Sequence, residues 1–284
     1  MIIRPMARDE LDVILEWAHG EGWNPGIDDA EVFWATDPDG FVAAERDGEL
    51  IGGGSIVAYG EAYGFMGLFI VRPDLRGHGL GRELWFARRD LLVERLAPGA
   101  AIEMDGVFAM QDFYAHGGFA FQHRDLRFAG TGVAPLVVAN AVEVVDLAEI
   151  HFGAVEAYDH AHFAAPRAAF LAQWIERPGG HAVGVRREDG CRGFAVSRPC
   201  RQGHKIGPLF ADDSIVAEAL FDELSARLAG QPIFLDVPEC NPAAVELAHR
   251  HDMTEVFGCA RMTLGPPPTL PWNEIFGVTT FELG

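Results

Sequence analysis

The sequence predicts an α/β (α+β) protein built from two tandem copies of one unit, and three observations carry that prediction. The chain has 284 residues, long for one compact domain and comfortable for two. One order of elements (hairpin, strand, helix, strand, helix, strand) occurs in each half. Each hairpin turns at an Asp-Gly dipeptide, Asp47-Gly48 and then Asp189-Gly190, and Asp-Gly favours tight two-residue turns. Aligning the two turns brings "AIEMDGV" opposite "PIFLDVPE".

In the first half "MIIRPM" reads as a short strand. A helix follows, because Leu11, Ile14, Leu15 and Ala18 recur at helical spacing. "WNPGIDDAEVFWATDPDG" is a turn and a second short helix. The hairpin around Asp47-Gly48 comes next, then the strand "AYGFMGLFIV" and the loop "VRPDLRGHGLGR". From Leu80 to about Leu96 the apolar residues Leu80, Leu84, Ala87 and Leu91, with Trp85 and Leu92 beside them, predict an amphipathic helix on a sheet. Pro98 and Gly99 stop it. "AIEMDGV" reads as a strand, "FAMQDFYAHGG" as a short helix and "FAFQHRDLRFAG" as a closing strand. Residues 130–140 read as a linker. In the second half "HKIGPLFA", "DSIVAEALFDELSARLAG", "PIFLDVPE", "NPAAVELAHRH" and "EVFGCARMTLG" repeat strand, helix, strand, helix, strand.

Nearly half of the residues are apolar, enough for a sizeable core. The longest apolar runs fall far short of a membrane span, and "MIIRPMARDE" does not read as a secretion signal. Cytoplasmic residence is the expectation. The net charge of −20, from 42 acidic and 22 basic residues, argues against nonspecific nucleic-acid or anionic-membrane binding. It suits a cationic substrate such as an amine, or simply keeps the chain soluble. Cys191, Cys200, Cys240 and Cys259 form no CxxC pair and are expected to be buried free thiols. "DHAH" and "HRH" have i, i+2 spacing, which separates their rings on a helix, so no metal is expected.

A strand feeding a glycine-rich turn and then a helix is an anion site, because the first-turn amides lack intrahelical partners and the helix dipole adds positive potential. Gly77, Gly79 and Gly81 let a ligand approach the backbone and permit φ > 0, and Arg76 and Arg82 add charge. The third glycine comes one residue early for GxGxxG, and no Gly-Lys-Ser/Thr follows for a P-loop. "VRPDLRGHGLGR" resembles the acyl-CoA loop of the GNAT N-acetyltransferase superfamily through Val71, Pro73, Arg76, Gly79 and Gly81. "YAHGGF" adds that family's Tyr-x-x-x-Gly-Phe with Tyr114, Gly118 and Phe119, and the match spans about 1–128. One departure is Val107, where many members carry Asn.

The resemblance implies two tandem GNAT-like domains, 1–129 and 141–284, each a mixed, mostly antiparallel sheet flanked by helices. It implies acetyl-CoA as cosubstrate. Its pyrophosphate would sit on the amides of Gly77, His78, Gly79, Leu80, Gly81 and Arg82 beside Arg76, and its pantetheine arm against Phe69, Ile70 and Val71. An amide there could polarise the thioester carbonyl. Tyr114 takes the family's role of protonating the leaving thiolate; it could also only hydrogen-bond sulfur or fill the core. Glu103 and Asp105 share a face of one strand and are the candidate bases; a turn or capping Asp105 is the other reading. Trp23 and Asp28 are candidate acceptor-binding residues, or a packing anchor and a helix cap.

The second copy has "KIGPLFADDSIV" in place of the loop. Asp212, Asp213 and Ser214 can cap the free amides and repel a phosphate, so only the first copy is expected to bind CoA. The second copy is expected to shape the acceptor pocket, with Tyr158 and Asp159 as substrate-binding candidates and Arg167, Asp236 and Glu239 nearby in role. "DVPECN" and the terminal "FGVTTFELG" look like motifs of a tandem GNAT subfamily. The expected activity is acetyl transfer to a primary amine of a small cationic metabolite by direct attack in a ternary complex. Acetylation of a protein lysine or N-terminus, or a non-catalytic CoA sensor or scaffold, are the alternatives. No nucleic-acid or membrane partner is expected, and a homodimer is left open.

Overall fold

The computed structural model describes residues 1–134, 142–188 and 190–284. They form two compact units. The first holds Met1–Gln122 together with Arg261–Pro268 and Phe281–Gly284; the second holds His123–Ala260 and Thr269–Thr280. The first unit thus takes up two late stretches that sequence order assigns to the second copy. Most of the linker expected at 130–140 lies outside the described residues, as does Asp189 of the second hairpin turn.

The first unit runs β1 (Ile2–Pro5), α1 (Arg8–Gly20), α2 (Asp29–Thr36), β2 (Phe41–Arg46), β3 (Glu49–Tyr59), β4 (Tyr63–Val71), α3 (Leu80–Arg95), β5 (Ala101–Val107), α4 (Gln111–His116) and the start of β6 (Ala120–Thr131). Pairing is antiparallel from β1 to β4 and parallel between β4 and β5. Asp47 and Gly48 both have positive φ, 55° and 83°, the mirror-image turn that suits the strand twist. Gly52, Gly53 and Gly54 thin the middle of β3. The bare side of Gly53 faces Met6 and Ile14, and those of Gly52 and Gly54 face Leu84 and Arg88. Successive strand residues face opposite ways, so α1 and α3 close on opposite faces of the sheet.

Helix α1 buries Leu11, Ile14, Leu15 and Ala18, as its spacing predicts. Helix α3 follows its predicted stripe only in part. Its buried face is Leu84, Trp85, Arg88 and Leu92, while Leu91 is exposed. Arg88 takes the core position because Gly54 leaves room for a guanidinium where another residue would place a side chain.

The second unit continues β6 and adds β7 (Val144–Asp146), α5 (Phe152–His162), α6 (Ala168–Ile175), β8 (His181–Arg187), β9 (Gly190–Pro199), β10 (His204–Ala211), α7 (Ser214–Arg227), β11 (Pro232–Pro238), α8 (Pro242–Arg250), β12 (Thr254–Leu264, ending in the first unit) and β13 (Ile275–Gly277). Strand β10 pairs parallel to β11 at Ile206↔Leu235 and antiparallel to β9. Val216, Leu220, Phe221 and Leu224 of α7 join Ile206, Leu209, Leu235 and Leu247 in its core. Asn241 accepts hydrogen bonds from the amides of Ala243 and Ala244 and caps α8 ahead of Pro242. Cys191, Cys200 and Cys259 are buried thiols, but Cys240 is exposed, because it sits in the turn just before that cap.

Arg127 on β6 stands directly opposite Asp236 on β11. Its Nε and Nη2 donate to the two carboxylate oxygens at 2.6 and 2.7 Å, and both side chains are buried. Burial alone would raise the Asp236 pKa, but the Arg127 charge and hydrogen bonds outweigh it and hold the carboxyl below its ordinary value. A carboxyl depressed in the folded state stabilises the fold fully above its unfolded pKa of about 4 and loses that contribution as pH falls through the lower folded value. Asp236→Asn, which takes the carboxylate from the buried Arg127, is expected to cost about 3–5 kcal/mol at pH 7. The gap to wild type in urea unfolding should narrow towards pH 3.

Candidate active site

The loop between β4 and α3 is built by its own arginine. Arg76 Nε donates to the Val71 carbonyl at 2.8 Å and Nη2 to Glu21 at 2.7 Å, which ties the loop to the end of β4 and to the end of α1. Gly77 and Gly79 have φ of 84° and 82°, and Gly79 is the N-cap of α3 with no side-chain acceptor over the first turn. Gly81 is helical, so its role is space, and the nearest atom to its bare side is the Phe69 ring at 3.5 Å. His78 is exposed and Leu80 half-buried at the helix start. Arg82 lies over the Phe86 ring at 4.9 Å.

Strand β4 pairs with β5 only from Tyr63 to Phe65. Beyond that point Ile70 and Val71 remain paired to β3 on one side, which leaves the other edge of β4, through Phe69, for an added extended chain. Between the register pairs Gly53↔Ile70 and Ser55↔Gly67, Gly54 stands against both Leu68 and Phe69. Leu68 has φ of 49°, as a bulge requires.

Tyr114 is 4 % exposed and stacks on Trp85 with centroids 5.8 Å apart. Phe119 meets the same indole edge-on at 5.7 Å, so both aromatic positions of the Tyr-x-x-x-Gly-Phe segment wrap one side chain of α3. Gly106 makes room for the Tyr114 ring against β5.

The two carboxylates of β5 are already engaged. Asp105 accepts from Arg261 Nε and Nη2 at 2.7 and 2.8 Å. Glu103 accepts from Tyr63 at 2.8 Å, Thr263 at 3.0 Å and Arg261 Nη1 at 3.3 Å. Burial and the Glu103 charge push the Tyr63 phenol well up, so it stays a donor. The group holds two carboxylates and one guanidinium. Arg261 and Thr263 arrive from β12, and no local pattern in the sequence announces them. Ser55 also escaped sequence reasoning. Its hydroxyl accepts from the Gly67 amide at 2.9 Å and donates to the Glu282 carbonyl at 3.2 Å. Tyr59 donates to the Leu283 carbonyl at 2.9 Å, and Gly67 has no room for a Cβ against the Glu282 backbone. The segment "FELG" is therefore seated on β3 and β4.

Trp23 is half-buried, and Asp28 is the N-cap of α2 without a side-chain cap bond; the neighbouring Asp29 instead accepts from the Gly26 amide at 2.7 Å. In the second unit Tyr158 donates to the Arg192 carbonyl and to Asp212 at 2.9 and 3.0 Å. Asp159 is buried and accepts from Arg167 at 2.8 and 2.9 Å. Both residues are tied into their own unit. Asp213 accepts from the amides of Ile215 and Val216, each at 2.9 Å, and caps α7. After Ile206, where β10 leaves β11, β13 pairs with β10 at Leu209 and Phe210. One group of metal-ligand types gathers among the described residues, Glu218, Asp222 and His251. There His251 Nε2 lies 2.7 Å from Glu218 Oε1, and Arg250 also pairs with Glu218. No helix among the described residues is long and apolar enough to cross a membrane.

Residues 8–119 match the acetyltransferase (GNAT) family and residues 155–277 an acetyltransferase (GNAT) domain. A holothin acyltransferase of Pseudoalteromonas sp. (strain SANK 73390) is 26 % identical over 282 residues, 99 % of this chain and 94 % of that protein. In fold, the chain is similar to a candidate acetyltransferase from Pyrococcus horikoshii (TM-score 0.84, 22 % identity, 100 % and 95 % of the two chains). It is also similar to a tandem GNAT protein from the clavulanic acid biosynthesis pathway (TM-score 0.63, 13 % identity, 94 % and 99 %). With a GNAT match in each half, the chain belongs to the GNAT acetyltransferase family and is an acyltransferase of the tandem type.

Proposed function

We propose that the first unit transfers an acetyl group from acetyl-CoA to the primary amine of a small cationic metabolite, by direct attack in a ternary complex. The contrast between the copies carries this reading. The uncapped start of α3 and the free edge of β4 have counterparts in the second unit that are filled, by Asp213 and by β13. Amides 77–82 with Arg76 would take the pyrophosphate, and Phe69 to Val71 would take the pantetheine arm as an added strand.

The amine nitrogen attacks the thioester carbonyl carbon, the C–N bond forms and the C–S bond breaks. Tyr114 gives its phenolic proton to the leaving thiolate sulfur. The ammonium proton passes to the Glu103–Asp105–Arg261 group, directly or through water. With two carboxylates against one guanidinium the group carries a net charge of −1, which attracts a cationic acceptor and can accept a proton. The acidic chain adds to that attraction. The holothin acyltransferase relative favours a small-molecule acceptor over a protein.

A panel of amines with acetyl-CoA, read by thiol detection of released CoA, tests the site directly. Wild type should release CoA with one or more cationic amines, and an Arg76→Glu/Gly79→Glu variant should fall to background. Equal release by the two proteins would sink the assignment of the loop. Tyr114→Phe should lower kcat about a hundredfold with KM for acetyl-CoA within about threefold of wild type, and an unchanged kcat would remove Tyr114 from the reaction. Glu103→Gln neutralises the acidic group without changing its shape. It should lower kcat/KM about tenfold for cationic amines and less for neutral ones; equal losses for both would count against charge recognition there.

A further inference from the structure

Arg88 is the most unusual side chain in the first unit. It sits mid-helix on α3 and is 0 % exposed. Its Nη2 donates to the carbonyls of Ser55 and Gly67 at 2.5 and 2.6 Å. Among the described residues its Nε and Nη1 are buried with no acceptor and no carboxylate answers its charge. Its guanidinium lies 5.4 Å from the Phe69 ring centroid. Burial pulls its pKa down to about 9, with only the Tyr114 phenol pulling the other way, so it is a cation at neutral pH. Leaving a buried cation without a counter-ion is costly. A methionine of similar length would fill the space without that cost.

What the guanidinium holds is the bulge. The Ser55 and Gly67 carbonyls are those freed where Gly54 faces two residues of β4. A peptide group is planar and trans, so a carbonyl oxygen and the following N–H point opposite ways. With the Gly67 carbonyl fixed on Arg88, the Leu68 N–H is turned away from α3. The strand's alternation sets the direction within the sheet, because the Gly67 N–H is taken by Ser55 Oγ of β3 and in an extended strand the next N–H points to the other edge, the β5 side. There β4 has already parted from β5.

We propose that Arg88 is a positioning residue for acyl transfer, whose grip on the Gly67 carbonyl aims the Leu68 amide at the acyl oxygen of the thioester. The inference rests on the acetyl-CoA site proposed above. As the amine adds, the carbonyl oxygen takes up negative charge and the Leu68 N–H donates to it. When the C–S bond breaks the charge returns to the carbonyl and the electron pair leaves on sulfur. The amide is aimed before the substrate arrives, so no reorganisation is needed at the moment of reaction. Gly54 belongs to the same device, since a Cβ there would collide with the guanidinium.

The test compares wild type with Arg88→Met, Arg88→Lys and Gly54→Ala. Bound acetyl-CoA labelled with carbon-13 at the acetyl carbonyl reports polarisation of the thioester without any amine present. Wild type should shift that resonance downfield, and Arg88→Met should lose the shift while binding acetyl-CoA with affinity within about threefold of wild type. With an amine, its kcat should fall about a hundredfold, the range for one oxyanion donor. Arg88→Lys and Gly54→Ala should fall between the two. Thermal unfolding separates this role from a structural one, because Arg88→Met should unfold no lower than wild type. A variant that keeps the carbonyl shift and a kcat within about twofold of wild type would overturn the proposal. So would a kcat loss that only tracks loss of folded protein. Failure of wild type itself to bind acetyl-CoA would overturn the site assignment, and this inference with it.

Discussion

The parting of β4 from β5 after Phe65 is the constraint on which the first unit depends, because a sheet that stayed zipped would have no edge to offer. Three features meet where the strands part. The bulge at Leu68 twists β4 out of register with β3. Arg88 holds the bulge's carbonyls from the α3 face. On the opposite face the Ser55 hydroxyl, which donates to the Glu282 carbonyl, accepts from the Gly67 amide.

Sequence patterns reached the features whose causes are local. The glycine loop was legible because Gly77 and Gly79 must adopt positive φ, and few residues other than glycine do so readily. The hairpin at Asp47-Gly48 and the buried face of α1 follow from turn chemistry and from spacing in the same way. Tyr114 and Phe119 are paired in the sequence by the resemblance to the family's Tyr-x-x-x-Gly-Phe, and in the structure both touch one indole.

The rest depended on partners far along the chain. A pattern reading assigns Arg88 to solvent, as it does any arginine, and only the missing side chain of Gly54 makes an interior place for it. Glu103 and Asp105 looked like two uncommitted acids on a strand. The Arg261 they share lies 158 residues beyond Glu103, and nothing near "AIEMDGV" signals it. The same distance hid the seat of Phe281–Gly284 in the first unit. Composition correctly flagged an acidic chain, yet it could not say that these carboxylates share one guanidinium.

Strand β13 gives the duplication a competitive meaning. In the second unit the gap beside β10 is taken by Ile275–Gly277 of the same chain. A covalently tethered occupant acts at an effective concentration of about millimolar or more, and it has no diffusional freedom left to lose on docking. A CoA molecule there would have to displace that strand with its pantetheine arm and the Asp213 carboxylate with its pyrophosphate. The second unit in effect carries its own permanent ligand, and one chain keeps a closed and an open version of the same cleft.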